Sequence, residues 1–216
     1  MILQGKNFNT NLVFVTNVIF GFFPISFILG NFITNINLIL LCFLGILHLK
    51  SKILEVKFDL SLKIIFLFFF IIFFSTGLSF VKSLYFEGYE YINLIRLIKS
   101  LVFFRFFLLL IIICLLSEYN ILNFKYFLVS ATFVPILLSL DIIYQYNFGY
   151  DIIGLKNFNT YNSGFFGDEL IAGGFIKNFS FFSIFFIIFK LKNTQSLRFI
   201  LTIFTICILG VGILLS

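Results

Sequence analysis

The chain has 216 residues, of which 61% are hydrophobic and only 11% are charged. In soluble domains about a quarter of all residues are charged. The composition of this chain therefore excludes a soluble globular protein and indicates a polytopic membrane protein. The formal net charge of +6 is interpreted as an orientation signal at the membrane, and no nucleic-acid partner is expected. The predicted fold is an all-α bundle of transmembrane helices surrounded by membrane lipids.

Seven apolar stretches approach the length of about 20 residues that crosses a bilayer as a helix. In chain order, the predicted spans are about 11–29, 33–49, 62–80, 101–116, 126–146, 175–189 and 197–215. The fourth span has an interfacial lead-in from Tyr91, and Pro135 predicts a kink in the fifth because proline lacks an amide hydrogen. Residues 1–216 are predicted to form one transmembrane domain, with a long loop at 147–174.

Lys and Arg are distributed unequally between the two sides of these spans. With a cytoplasmic N-terminus, nine basic residues lie inside, five lie outside, and Arg105 falls within a span. Because loops rich in Lys and Arg stay in the cytoplasm, we expect a cytoplasmic N-terminus and an external 147–174 loop. In a bacterium the exterior is the periplasm, so the expected location is the inner membrane.

Three basic residues, Arg96, Lys99 and Arg105, surround the start of the fourth predicted span. Arg96 and Lys99 share a helix face, whereas Arg105 points to the opposite side, about 7 to 9 Å inside the span. An arginine there needs a partner, and Asp141 of the fifth span is expected at a similar depth. Three interpretations stay open: an ion pair that joins the helices, an anionic head group held by Arg105 and oriented by Asp141, or no contact between the two residues.

The 147–174 loop is long and rich in Gly, Asn and Tyr, and long loops in compact proteins are usually functional or disordered. Gly164 and Gly167 are expected to permit tight turns. The neighbouring acids Asp168 and Glu169 have two interpretations. In the first, they begin a short helix, because the N-terminus of a helix favours acids. In the second, one of them activates a hydroxyl or orients a cation.

The segment from Asp141 to Lys177 contains DIIYQYNFGYDIIG and SGFFGDELIAGGFI, and it resembles the O-antigen ligase and polymerase family of bacterial inner-membrane proteins. The resemblance implies a metal-independent glycosyltransferase without a cofactor, which takes a glycan from a polyprenyl diphosphate carrier at the periplasmic face. The acceptor would be the lipid A core or another carrier-linked glycan. It also implies a bundle of about twelve spans, of which this chain would be an N-terminal part that is inactive alone.

Within this resemblance, the cations near the fourth span and part of the loop would bind the substrate, and the loop acids would act in catalysis. The predicted substrate-binding residues are Arg96, Lys99, Arg105, Ser163 and Gly164. The predicted catalytic residues are Asp168 and Glu169. No metal site is predicted, since the three cysteines and the one histidine have no metal-ligand spacing.

The chain also departs from the family pattern, in which an arginine often precedes the Ser-Gly pair. Tyr161 and Asn162 stand there instead, and the loop contains no arginine. Two other function classes therefore stay open. A transporter or flippase half would use Arg105 and Asp141 along the path of a lipid-linked or anionic substrate. The other class is a non-catalytic membrane subunit.

Overall fold

A computed structural model of the chain describes residues 10–55, 59–83, 90–156, 161–167, 171–190 and 195–216. In these ranges the chain forms eight α-helices and two short 3-10 turns, and no strand. The helices are α1 Thr10–Gly21, α2 Phe23–Ile28, α3 Asn31–Leu49, α4 Leu60–Ser83, α5 Glu90–Glu118, α6 Phe124–Phe148, α7 Ala172–Lys190 and α8 Gln195–Leu215. The 3-10 turns are Lys50–Glu55 and Gly164–Phe166. The predicted all-α fold class is confirmed.

Six of the described helices, α3 to α8, are long and apolar enough to cross a membrane, as expected for a multi-pass membrane protein. The first predicted span, 11–29, is divided into two shorter helices, α1 and α2. The division coincides with Pro24 in the first turn of α2. Proline has no amide hydrogen to bond the carbonyl one turn earlier, which favours a break at this point.

Helix α5 is longer than the predicted span 101–116, because the lead-in from Tyr91 joins it as one helix of 29 residues. No glycine or proline interrupts this sequence, so nothing local ends the helix earlier. Arg105 consequently lies 15 residues from the start of α5, or about 22 Å along the axis at 1.5 Å per residue. The predicted depth of Arg105 was counted from a span that begins at 101, after the lead-in, and the bounds of α5 alone do not test it, so it stays a prediction.

Helix α6 continues through Pro135, which cannot donate to the carbonyl oxygen of Ala131. The Ser183 hydroxyl of α7 lies 3.3 Å from that carbonyl oxygen and 3.4 Å from the carbonyl oxygen of Thr132. A side chain from a neighbouring helix thus replaces the missing backbone bond. Such replacement is required where water is excluded.

The described helices group into two compact units. Unit 1 covers 1–40 and 123–216, and its central helix, α6, packs against α1, α2, α7 and α8. Its apolar core consists of Val134, Leu138, Ile142, Ala172, Phe175, Ile176 and Leu209. Helix α8 approaches α6 closely at Gly212, where an added Cβ would lie 2.6 Å from the Cβ of Ser139. A small residue is therefore needed at this crossing.

Unit 2 covers 41–122 and contains the end of α3, α4 and α5. Phenylalanine rings join α4 to α5: Phe69 lies with its ring centroid 5.1 Å from that of Phe103 and 5.6 Å from that of Phe107. Only 6% of the apolar 18-residue stretch of α4 that could cross a membrane is buried within the protein. An apolar helix with so little protein around it is typical of a lipid-facing position.

Candidate functional site at the end of α6

Two fully buried polar side chains, Asp141 and Gln145, lie one turn apart near the end of α6 and bind the loop that follows. The Oδ1 atom of Asp141 accepts a hydrogen bond of 2.9 Å from the amide of Ile152. The Oε1 atom of Gln145 accepts one of 2.9 Å from the amide of Gly164, and its Nε2 lies 3.5 Å from the carbonyl oxygen of Leu155. We name Asp141 and Gln145 the anchoring pair, because they hold two separate parts of the loop.

The first part of the loop, residues 150–156, is a compact turn closed by Asp151. The Oδ1 atom of Asp151 accepts from the amide of Leu155 at 2.5 Å, and the backbone amide of Asp151 donates to the carbonyl of Leu155 at 2.9 Å. Tyr150 and Lys156 form an isolated antiparallel bridge. An aspartate that binds the backbone of its own turn is common in such segments, and here the side chain is fully buried.

The second part of the loop, residues 161–167, contains the tight turns predicted at Gly164 and Gly167. Their φ angles are +54° and +59°, a left-handed region that glycine adopts readily, so this prediction is confirmed. Ser163 donates its hydroxyl to the carbonyl of Gly167, and Asn162 donates its Nδ2 to the carbonyl of Leu215 in α8 at 2.7 Å. The loop is thereby attached to α6 and to α8.

Ser163 and Gly164 were predicted to bind substrate, and the structure places both in the interior. The Ser163 hydroxyl and the Gly164 amide are already bonded within the protein. Both residues therefore build the loop, and substrate binding by them stays a prediction. The predicted catalytic acids, Asp168 and Glu169, lie outside the described residues, so their positions are untested.

The predicted cations lie on α5, in unit 2. Arg96 and Lys99 are exposed, and Arg96 donates to the Oδ1 of Asn93 at 3.2 Å. Arg105 is partly buried, with its guanidinium carbon 5.0 Å from the ring centroid of Phe106. Its Nε is buried and has no hydrogen-bond partner among the described residues. An arginine nitrogen without an acceptor in an apolar span is a candidate for binding an anion.

The predicted ion pair between Arg105 and Asp141 joins residues of different units and stays a prediction. Within unit 1, Asp141 already has a partner in the amide of Ile152. The backbone amide of Phe165 also interacts with this carboxylate, although its geometry falls short of a hydrogen bond. The anchoring of the loop thus gives Asp141 a role that does not require an arginine.

Sequence reasoning missed three buried polar residues of this region: Gln145, Asp151 and Asn162. For Gln145 the available signal was its spacing of four from Asp141, which places both on one face of α6. For Asp151 the signal was a Tyr-Asp-Ile-Ile-Gly sequence typical of a turn closed by an aspartate. Nothing local marks Asn162, because its partner in α8 lies 53 residues away.

An apolar groove of about 450 Å³ lies beside the second part of the loop. It is lined by Phe27, Asn31, Phe166, Ile171, Gly174, Phe175, Asn178 and Phe179. The rings of Phe175 and Phe179 stack with centroids 4.5 Å apart, and the carboxamides of Asn31 and Asn178 are exposed. Aromatic walls with a few hydrogen-bonding groups suit an organic ligand.

Among the described residues, no group of three or more His, Cys, Asp or Glu side chains is arranged to hold a metal ion. The sequence matches no family model, and no curated protein or solved structure shows significant similarity to it.

Proposed function

We propose that the protein is a multi-pass membrane glycosyltransferase of the O-antigen ligase type. It would move a glycan from a polyprenyl diphosphate carrier to the lipid A core or to another glycan, at the periplasmic face of a bacterial inner membrane. The observation that carries this proposal is the folded loop after α6. The segment from Asp141 to Lys177, on which the family resemblance rests, contains the anchoring pair and the turns that they hold.

The proposed chemistry is a single displacement at the anomeric carbon. The acceptor hydroxyl forms a new bond to that carbon, and the bond from the carbon to the diphosphate oxygen breaks. The proton leaves the hydroxyl for a carboxylate, for which Asp168 and Glu169 are the candidates. Negative charge grows on the diphosphate, so cations that bind it lower the barrier.

The candidates for binding the diphosphate are Arg96, Lys99 and Arg105 of α5. Arg105 is the strongest of them, because its Nε has no acceptor among the described residues. A guanidinium offers a planar set of donors that matches phosphate oxygens, and it gains more from this contact where water is scarce. Exposed Arg96 and Lys99 would attract the anion at the surface.

The groove beside the loop suits the binding of a substrate that is partly lipid and partly sugar. The stacked rings of Phe175 and Phe179 offer apolar faces, and the carboxamides of Asn31 and Asn178 can bind hydroxyl groups. In this proposal the groove would hold the sugar end or the first prenyl units of the carrier lipid.

The first test is genetic. The full-length gene is expressed in a ligase-deficient strain and in a polymerase-deficient strain. The glycolipids of each strain are then separated by gel electrophoresis. Restoration of full-length glycolipid in either strain is the expected result. Arg105→Ala and Glu169→Gln are expected to abolish it, whereas exposed Lys125→Ala is the control. Restoration by both site variants would refute the site assignment.

The second test uses the chain itself in nanodiscs. Native mass spectrometry measures binding of polyprenyl diphosphate and of an uncharged polyprenol of the same length. We expect preference for the diphosphate, and loss of that preference in Arg105→Ala but not in Lys125→Ala. Equal binding of both lipids by the unmodified chain would argue against diphosphate recognition.

A second candidate function is a transporter or flippase half for a lipid-linked or anionic substrate. The observations that favour it are the broken first span, α1 and α2, and the fully buried carboxylate of Asp141 within α6. Interrupted helices and intramembrane charges occur in substrate paths of transporters. Scrambling of a labelled carrier lipid by proteoliposomes, without any glycosyl transfer, would favour this candidate.

A further inference from the structure

The turn at 150–156 directs apolar side chains outward and its acid inward. Ile152 and Ile153 are 65% and 69% exposed, and Leu155 is 42% exposed. The side chain of Asp151 is fully buried. A turn that lies in water usually has the opposite arrangement, so a buried aspartate beneath three exposed apolar residues indicates a surface that meets something other than water.

Two tyrosines near the ends of α6 mark where the boundaries of the membrane lie. Tyr126 and Tyr144 are separated by about 27 Å along the helix axis, at 1.5 Å per residue. The hydrocarbon core of a bilayer is about 30 Å thick, and tyrosine is enriched at both of its boundaries. Between these two tyrosines the only charged residue is Asp141, and it is buried. The end of α6 near Tyr144 therefore lies at one boundary.

The turn folds back beside the last two turns of α6. The amide of Ile152 donates to Oδ1 of Asp141 at 2.9 Å, and the ring of Tyr150 lies with its centroid 5.9 Å from that of Tyr144. Asp141 precedes Tyr144 by about 4.5 Å along the helix axis, toward the middle of α6. The bond to Asp141 therefore holds the backbone of the turn at the boundary or slightly inside it.

A stripe of outward-facing apolar and aromatic residues on α6 leads to the same turn. The stripe consists of Phe133, Leu137, Leu140, Tyr144 and Phe148, spaced so that all five share one helix face. The ring of Phe148 contacts those of Tyr144 and Tyr150, with centroids 4.5 Å and 6.4 Å away. Because α6 is long and apolar enough to cross a membrane, we expect this stripe to face lipid. The turn continues the stripe at its boundary end.

The backbone of the turn is also suited to an environment with little water. Within the turn, the amides of Asp151 and Gly154 donate to the carbonyls of Leu155 and Asp151, and the amide of Leu155 donates to Oδ1 of Asp151. The amide of Ile152 is satisfied by Asp141. Non-helical backbone is tolerated near hydrocarbon only where the protein satisfies its polar groups, and these four amides meet that requirement.

We propose that the turn 150–156 is seated in the lipid boundary of the membrane, with the side chains of Ile152, Ile153 and Leu155 among the first carbons of the acyl chains. The occupant of this surface is the lipid of the bilayer. Lys156, exposed at the end of the turn, extends its ammonium group toward the head groups. This contact needs no substrate, so it holds for either candidate function.

A single tryptophan tests the contact, because the chain has no Trp of its own. Ile153→Trp is placed in nanodiscs of phosphatidylcholine brominated either near the head group or near the bilayer centre, and iodide is added as a quencher from water. We expect bromine near the head group to lower the emission by about half, and bromine at the centre to lower it less. Iodide should have little effect, although it quenches free N-acetyltryptophanamide in the same sample.

Leu137→Trp, in the middle of the stripe on α6, is the matched control for depth. Its emission should fall more with bromine at the bilayer centre than with bromine near the head group. Circular dichroism and the melting curve check the fold of each variant. If Ile153→Trp is disturbed, Ile152→Trp decides, because its side chain is equally outward-facing.

Two results would overturn the proposal. Quenching by iodide and not by bromine would place the turn in water. Protection from both quenchers would place it under protein, either another part of the chain or a second copy.

Discussion

Helices α6 and α4 are of similar length and both are apolar enough to span a membrane, yet they have opposite environments. In α6, 44% of the apolar 18-residue stretch that could cross a membrane is buried within the protein. The buried residues of α6 include Ser139, Asp141 and Gln145. In α4 the share is 6%, and the buried residues are Phe69 and Ser83. In a membrane, lipid accepts apolar surface as readily as a protein core does. Polar residues therefore mark the interior more clearly than apolar residues do.

The largest loss of stability on substitution is expected where the loop contacts α6. Gly164→Ala places a Cβ 2.8 Å from Oδ2 of Asp141 and 3.0 Å from Leu138, at a residue with a φ of +54°. Backbone strain and overpacking together should cost about 2 to 4 kcal/mol of the free energy of unfolding. Thermal unfolding in detergent, followed by circular dichroism, measures the loss.

Gly174→Ala is the matched control, because no atom lies within 4 Å of its added Cβ and the residue is helical. Replacing an exposed helical glycine by alanine is expected to stabilise by about 0.5 to 1 kcal/mol. Equal melting temperatures for the two variants would contradict the close packing of the loop on α6.

The next effect concerns the crossing of α6 and α8. Gly212→Ala brings a Cβ 2.6 Å from the Cβ of Ser139 and 3.0 Å from its Cα, which should cost about 1 to 3 kcal/mol. Gly210→Ala, two residues earlier in α8, meets open space and should not destabilise. If both substitutions lowered the melting temperature equally, the assigned face of α8 would be wrong.

A smaller loss of stability is expected where the Ser183 hydroxyl replaces the backbone hydrogen bond that Pro135 cannot form in α6. Ser183→Ala removes the hydroxyl near the carbonyl of Ala131 and should cost about 1 kcal/mol. Ser180→Ala removes a hydroxyl that bonds only within its own helix, to the carbonyl of Lys177, and should cost less. Comparison of the two melting curves isolates the contribution of the bond between helices.

The smallest effect is expected on α4. Phe68→Leu alters a side chain that is 55% exposed, and the change in unfolding free energy should stay within about 0.5 kcal/mol. Phe175→Leu, in the core of unit 1, should cost about 1 kcal/mol or more. A cost at Phe68 as large as that at Phe175 would mean that α4 is covered by protein.

The spans could be predicted from the sequence because bilayer thickness sets the length of the apolar runs. Six of the predicted spans correspond to α3 to α8. The break at Pro24 and the full length of α5 were missed, since hydropathy reports which residues are apolar and not where a helix begins. The tight turns at Gly164 and Gly167 followed from the freedom of glycine.

The candidate site was predicted less completely. Asp141 was singled out from the sequence, and the structure shows that it is buried in α6, but its bond to Ile152 was not foreseen. Hydrogen bonds between a helix face and a loop depend on the folded path of the chain, and single-residue patterns carry no such information. The catalytic roles of Asp168 and Glu169 and the pairing of Arg105 with Asp141 stay predictions.

The central claim is that Asp141 and Gln145 hold the loop in one conformation on the end of α6. Hydrogen exchange measured by mass spectrometry tests it most directly, in the unmodified chain and in Gln145→Leu. The claim predicts slow exchange at Gly164 in the unmodified chain, lost in the variant while α7 and α8 stay protected. Rapid exchange at Gly164 and Ile152 in the unmodified chain would contradict it.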